Sequence, residues 1–411
     1  MERVVITGLG AVSSLGLGAE KNFQQALAGK SGIDYLNLSF KQQIDGCVAA
    51  QINFPLPELI KKSEHSLFDR FSMLGWIAAS EAIEQSGMSK QSPLLDQSGV
   101  FWGTGMGGAQ TVENGYIDLF IEGKNRIRPL SIIASMNNST AAQIALRCGF
   151  GGTVNTYSSA CVSSAQAIGE AYRHIRHGYA NRILAGGSEA LLTFGTVTAW
   201  NSMKVLATAN AAHPEQSCLP FSVNRSGLVL GEAGAAVMLE SLSSAQARGA
   251  TILAELAGYG SSNDATHMTN PNPLGQARAM QMAITSAQLS LSDIGYINAH
   301  GAGTQAGDVS ETEAIKQVFD KHAKRLMVSS TKSVHGHTLG AAAALEFVLT
   351  VQALRSKSIP PTAFLHASDP LCDLDFVPLQ ARQNQPITAA MSNSFAFGGI
   401  NAALIVKDFE L

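Results

Sequence analysis

Short apolar runs of strand character alternate with stretches of helical periodicity along the whole chain, and the order met in the first half recurs in the second. Val4-Val5-Ile6-Thr7 leads into a glycine turn, and residues 68–87 place Phe68, Phe71, Leu74, Ile77 and Ala78 on one helical face. Val100-Phe101-Trp102 ends in the loop GTGMGG, residues 139–147 read as helix, and GGTVNTYSSA reads as a strand entering a turn. A helix follows from Cys161, with Ala165, Ile168, Ala171 and Ile175 at helical spacing, and then a strand at 182–185. In the second half, strands at 235–239 and 252–256 flank the helical SLSSAQARG. Helix 276–289 precedes strand 295–298, strand 326–329 precedes a long helix over 339–355, and strands near 375–377, 388–392 and 402–406 close the pattern. Such alternation builds layers of helix on sheet, an α/β class. With no Pro-rich or low-complexity linker, the expectation is one body of two pseudo-equivalent halves, 1–245 and 246–411.

Composition narrows the function classes. At 411 residues, 45% hydrophobic and 14% charged, the chain is too apolar for disorder. A formal net charge of -3 gives no general attraction to nucleic acid or anionic lipid. Five cysteines, Cys47, Cys148, Cys161, Cys218 and Cys372, are scattered without a CxxC pair. That excludes a disulfide framework or zinc site and fits a reducing compartment, the cytoplasm. The first residues read as strand and turn rather than signal peptide, and Glu, Asn, Arg or His interrupts every run that could cross a bilayer.

Polar and reactive residues gather at strand ends in four segments: SSAC (158–161), NAHGAGTQAGD (298–308), SSTKSVHGHTLGAA (329–342) and SNSFAFGG (392–399). Loops at strand ends are where α/β sheets assemble sites. Cys161 follows three small residues and precedes a helix, whose N-terminus favours a nucleophilic thiolate of lowered pKa; taken alone, a lone cysteine is as readily a small buried hydrophobe. His300 and His337 each adjoin glycine at a strand–helix junction, where a structural histidine is the competing reading. His335-x-His337 lacks a third ligand at defined spacing, so no metal is expected. Lys332 could hold a negative charge or a histidine, or be a solvated lysine. Glu346, between Leu345 and Phe347, faces inward and needs a partner, for which Lys332 is the candidate. Phe395 and Phe397 precede Gly398-Gly399, where backbone N–H groups, with that of Cys161, could donate to a developing oxyanion; an aromatic plug is the alternative.

Together these segments, with VVITGLGAVSSLG, AGGSEA, GLVLGEAGA and DLDFVP, resemble the β-ketoacyl-acyl carrier protein synthases of the type I/II group over essentially the whole chain. The resemblance implies a thiolase-like αβαβα fold, no cofactor, and a decarboxylating Claisen condensation of a Cys-bound acyl chain with malonyl-acyl carrier protein. It implies fatty-acid or specialised polyketide or polyene synthesis, and either a homodimer or a heterodimer with a related synthase subunit. By motif, Cys161 carries the acyl chain, His300 and His337 stabilise the enolate, and Lys332 with Glu346 organises the site. Phe397 is gate and, with Cys161, oxyanion hole; Thr304 and Phe395 contact substrate, and Met106 helps set acyl length.

The loop reads HGAGTQ where the family writes HGTGTP or HGTSTP. Ala302 therefore lacks a hydroxyl expected on the phosphopantetheine arm, leaving Thr304, and Gln305 in place of proline is expected to loosen the loop. Ala396 and Ile400 replace Gly and Thr beside the gate, and Ser222 and Ser226 stand where acidic residues are usual. Altered rim with intact chemistry points to a specialised pathway. Lys61, Lys62, Lys124, Arg126, Arg128 and Lys204 are candidates for a basic rim facing the acidic carrier. A thiolase would need a second cysteine in FAFGGIN, and type III or chalcone-class synthases have Asn where His337 stands. A chain-length-factor-like partner lacks the nucleophile. Neither GLGAVS nor GTGMGG completes GxGxxG.

Overall fold

The repeated order of the sequence becomes a repeated topology in the computed structural model, which describes residues 1–410 apart from Ser39, residues 41–43, Pro57, Leu59 and Gln91. The first half supplies β1 (Val4–Ser13), α1 (Arg70–Gln85), β2 (Gly99–Gly103), α2 (Ser139–Cys148), β3 (Val154–Tyr157), α3 (Ser163–Arg176), β4 (Arg182–Glu189) and β5 (Ala233–Ser241). The second supplies β6 (Ala254–Asn263), α4 (Pro273–Ala287), β7 (Ile294–Asn298), α5 (Gln305–Phe319), β8 (Met327–Ser329), α6 (Ala342–Ser356), β9 (Ala389–Ala396) and β10 (Ile400–Lys407).

These strands lie in the order β8-β7-β9-β10-β6-β1-β5-β4-β2-β3. Read outward from the centre, β1-β5-β4-β2-β3 and β6-β10-β9-β7-β8 are the same permutation. The pairing sense repeats as well: two antiparallel contacts and then two parallel ones in each half. The halves join through antiparallel β1 and β6, with Val4 opposite Leu256.

Glycine pairs explain how the outer helices sit so close. A Cβ on Gly8 or Gly10 of β1 would stand 2.0 Å from the Ala82 or Ala78 carbonyl oxygen of α1. On Gly258 and Gly260 of β6 it would stand 2.3 and 2.1 Å from the Ala283 and Ala279 carbonyls of α4. The same Gly-x-Gly spacing thus performs the same packing task in both halves. Helix α1 is set by Asp69, whose carboxylate accepts from the Phe71 N–H at 3.1 Å.

Helices α3 and α6 form the middle layer. Ile168, Ile175, Leu345, Phe347 and Val348 share one core with β1, β5, β6 and β10. Helices α1 and α2 cover the first half from outside and α4 and α5 the second, so the layers run αβαβα. Residues Ala342 to Leu354 are buried on every side of α6, as an interior helix must be. Each large apolar side chain there contributes roughly 1.5–3 kcal/mol by burial. By length and composition alone, Leu339–Ser356 would cross a membrane, contrary to the expectation that every such run is interrupted; it lies 89% buried inside the protein.

Two local expectations change. Residues 375–377 form no strand, only a bridge from Asp375 to Met327. The helix expected from Cys161 begins at Ser163, leaving the cysteine in the turn before it.

Candidate active site

Cys161 sits in a sharp turn between β3 and α3. Ala160 takes φ +49°, a left-handed conformation that costs a non-glycine residue energy. Ser163 holds the turn closed, its hydroxyl accepting from the Ser159 N–H at 2.8 Å and donating to the Ala160 carbonyl at 2.7 Å. Cys161 as a residue is 7% exposed. Burial pushes its thiol up to about 12, against the downward pull of the Lys332 charge. Loss of solvent thus acts against the lowering expected from a helix start, and the helix itself begins only two residues later, at Ser163.

On the opposite wall, His300 lies two residues beyond β7. Its N–H and that of Gly301 donate to Glu311 of α5 at 2.9 and 2.8 Å, which sets the loop. Lys332, wholly buried, donates from Nζ to the His300 carbonyl at 2.6 Å and lies 2.5 Å from Glu346 Oε1. The ammonium stands 3.5 Å from His300 Nδ1, which can only accept from it. His337 bridges to Leu230, its N–H donating to the Val229 carbonyl at 2.6 Å and its carbonyl accepting from the Gly231 N–H at 3.0 Å. Its Nδ1 accepts from the Leu339 N–H at 3.1 Å. Both rings therefore carry their proton on Nε2. Burial, then the Lys332 charge, holds both imidazoles well below the ordinary histidine range, so they are neutral at pH 7. The rings meet edge-on with centroids 5.3 Å apart.

Cys161, His300, Thr304, His337, Phe395 and Phe397 line one cavity of about 250 Å³. Phe395 stands 6.0 Å from the His300 ring, and Phe397 stacks on Trp200 at 6.0 Å. Ala302 is part of the wall. The Thr304 hydroxyl caps α5, accepting from the Gly307 N–H at 3.2 Å. Met106 is 54% exposed and stands outside this lining. His335 is buried with Nε2 3.0 Å from Thr331 Oγ1.

Gln305 does not loosen its loop. Its side-chain amide donates to the Arg225 carbonyl at 2.5 Å, while the Arg225 guanidinium donates to the carbonyls of Thr304 at 3.1 Å and Gln305 at 2.9 Å. The swap from proline supplies a donor that fastens the turn. Arg225, Glu311, Trp200 and Glu189 lie outside the sequence candidates; of these Glu189 carried a signal, as the acidic residue of AGGSEA.

Residues 1–245 match the family model Beta-ketoacyl synthase, N-terminal domain, and residues 253–366 match Beta-ketoacyl synthase, C-terminal domain. The chain belongs to the beta-ketoacyl synthase family. The synthase is similar to nodulation protein E of Rhizobium sp. (strain N33), at 41% identity over 98% of this chain and 99% of that one. It is 38% identical to 3-oxoacyl-[acyl-carrier-protein] synthase 2 of Staphylococcus aureus (strain COL), over 100% of this chain and 99% of that one. A crystal structure of a beta-ketoacyl synthase from Burkholderia phymatum STM815 superposes with TM-score 0.92 at 34% identity, covering 100% of both chains. A type II polyketide acyl carrier protein in complex with its hexaketide-bound ketosynthase matches with TM-score 0.89 at 30% identity, again over 100% of both chains. The synthase thus has the thiolase-like αβαβα fold and is a condensing enzyme of fatty-acid or polyketide synthesis, as the motifs implied.

Proposed function

We propose that the synthase transfers an acyl chain from acyl carrier protein to Cys161 and condenses it with malonyl-acyl carrier protein, releasing CO2 and 3-oxoacyl-acyl carrier protein. What supports this most is the sharing of one cavity by a thiol and two neutral imidazoles whose protons are fixed on Nε2. In the first half-reaction the Cys161 sulfur attacks the thioester carbonyl, the carrier thiol leaves, and the proton lost by Cys161 is returned to that thiol. The N–H groups of Cys161 and Phe397 donate to the oxyanion. In the second, the malonyl C–C bond breaks to CO2, and the electron pair becomes an enolate held by the His300 and His337 N–H donors. The enolate carbon attacks the Cys161 thioester, and the cysteine sulfur leaves as thiolate and takes up one proton from water, which restores the thiol. Neutral donors suit this task, because an imidazolium would protonate the carbanion.

Lys332 keeps His300 neutral and in register, and Glu346 balances the buried ammonium. Thr304 meets the phosphopantetheine arm, Phe395 and Phe397 bound the acyl site, and Met106 acts at acyl-chain length only from the exposed side. Lys204, beside the cavity-lining Val205, serves the carrier-facing rim. Exposed Tyr116, Phe120, Ile121, Ile132 and Ile133 support a second subunit, identical or related. The halves 1–245 and 246–411 act as one unit, in the cytoplasm, where free thiols persist.

Intact-mass spectrometry after mixing with acyl-acyl carrier protein tests the reading. One acyl adduct is expected on the wild type and none on Cys161→Ala. If the wild type never acylates, a chain-length-factor-like partner role replaces it.

A further inference from the structure

Glu189 ends β4 and is fully buried. Its carboxylate accepts from Thr104 Oγ1 at 3.0 Å, Gly105 N at 2.5 Å and Met106 N at 3.3 Å, all in the GTGMGG loop. It also accepts from Gly340 N at 3.1 Å, in the turn behind His337. The loop in turn touches the nucleophile segment, since the Ser158 hydroxyl donates to the Gly105 carbonyl at 2.9 Å. One carboxylate from the first half thus joins the cysteine side of the cavity to the histidine side contributed by the second.

The turn it holds is strained. Leu339 has φ +49°, and its N–H is the donor to His337 Nδ1. A non-glycine residue in that conformation is strained and persists only where its surroundings impose it. The bond from the next N–H, Gly340, to Glu189 is such a constraint. Room for relaxation is missing as well: a Cβ on Gly340 would lie 2.4 Å from Gly105 N and 2.6 Å from Glu189 Oε2.

We propose that Glu189 is a positioning residue, which holds the Leu339–Gly340 turn in the shape that keeps His337 an Nε2–H donor. The proposal rests on the role given to His337 above, but the geometry it asserts is measurable without substrate.

Glu189→Gln replaces one acceptor oxygen by an NH2 that faces backbone N–H donors. Nitrogen-15 NMR of histidine-labelled protein should show His337 as the Nε2–H tautomer alone in the wild type and as a mixture in Glu189→Gln. Gly340→Ala, which displaces the turn and leaves the carboxylate, should give the same mixture. Thr104→Val, which removes a donor on the other side of Glu189, should keep the single tautomer. In activity, Glu189→Gln should slow malonyl-thioester decarboxylation about 100-fold, the scale of misplacing a reacting group by about 1 Å, with Cys161 acylation near the wild-type rate.

An unchanged tautomer in Glu189→Gln overturns the proposal, as does an equal fall in both half-reactions, which would mark a general structural role. If Glu189→Gln does not fold, the tautomer in Gly340→Ala decides. Should His337→Ala decarboxylate as fast as the wild type, the role of His337 falls, while the tautomer result still judges Glu189.

Discussion

Arg225 and Gln305 hold each other at both ends: the guanidinium donates to the Gln305 carbonyl at 2.9 Å, and the Gln305 amide donates to the Arg225 carbonyl at 2.5 Å. Arg225 also pairs with Asp369 at 2.7 Å and is buried. The clasp fixes the start of α5 and, with it, Thr304 at the cavity wall. Gln305→Ala keeps the backbone contact but loses the amide, so it should cost about 1 kcal/mol by chemical denaturation. Its condensation assay should show a raised KM for the carrier-linked substrate with kcat little changed. A variant as stable as wild type would show the side-chain bond to be idle.

The Lys332–Glu346 pair makes a sharper prediction about stability. Both side chains are completely buried at 2.5 Å separation. Glu346→Ala leaves an ammonium without its counter-charge and should destabilise by about 3–5 kcal/mol. Removing both charges with Lys332→Met and Glu346→Leu should restore most of that in urea denaturation, while decarboxylation stays impaired.

Cys161 offers a test of burial against helix-end electrostatics. With the thiol pushed up to about 12, its thiolate fraction should rise tenfold per pH unit throughout the usual assay range. The iodoacetamide inactivation rate should therefore keep climbing past pH 9. A plateau below pH 8 would show that the N–H groups at the start of α3 outweigh burial.

His335 predicts a pH dependence whose sign is fixed. Burial first, then the Lys332 charge, lowers it from 6.5 to about 3. The unfolded chain therefore takes up the proton first as pH falls. The stability contribution is complete above pH 6.5 and is lost from there toward pH 3, by about 1.4 kcal/mol per pH unit. Against wild type, His335→Asn should show an unfolding free energy whose slope between pH 6 and 5 is shallower by one proton. Equal slopes would contradict a buried neutral His335.

Much of this architecture was legible along the chain, because it depends on neighbours in sequence. Periodicity located α1, α3 and α6, and glycine and small residues marked the turns bearing Cys161, His300 and His337. Even the Lys332–Glu346 contact was readable, since an acid flanked by Leu345 and Phe347 on a buried helix requires a nearby cation.

Other features needed chain segments far apart to be brought together. Glu189 reaches Gly340, and Arg225 reaches Gln305, only because the strand order juxtaposes their loops. The stacking of Phe397 on Trp200 and the exposure of Met106 follow from the same packing. So does the direction of the Cys161 shift: a helix start was visible in the sequence, but the removal of water around the thiol was not. Residue types and spacing specify which groups are available and which local backbone shapes they favour. Desolvation and long-range hydrogen bonds are properties of the closed core, and they exist only once the two halves have packed against α3 and α6.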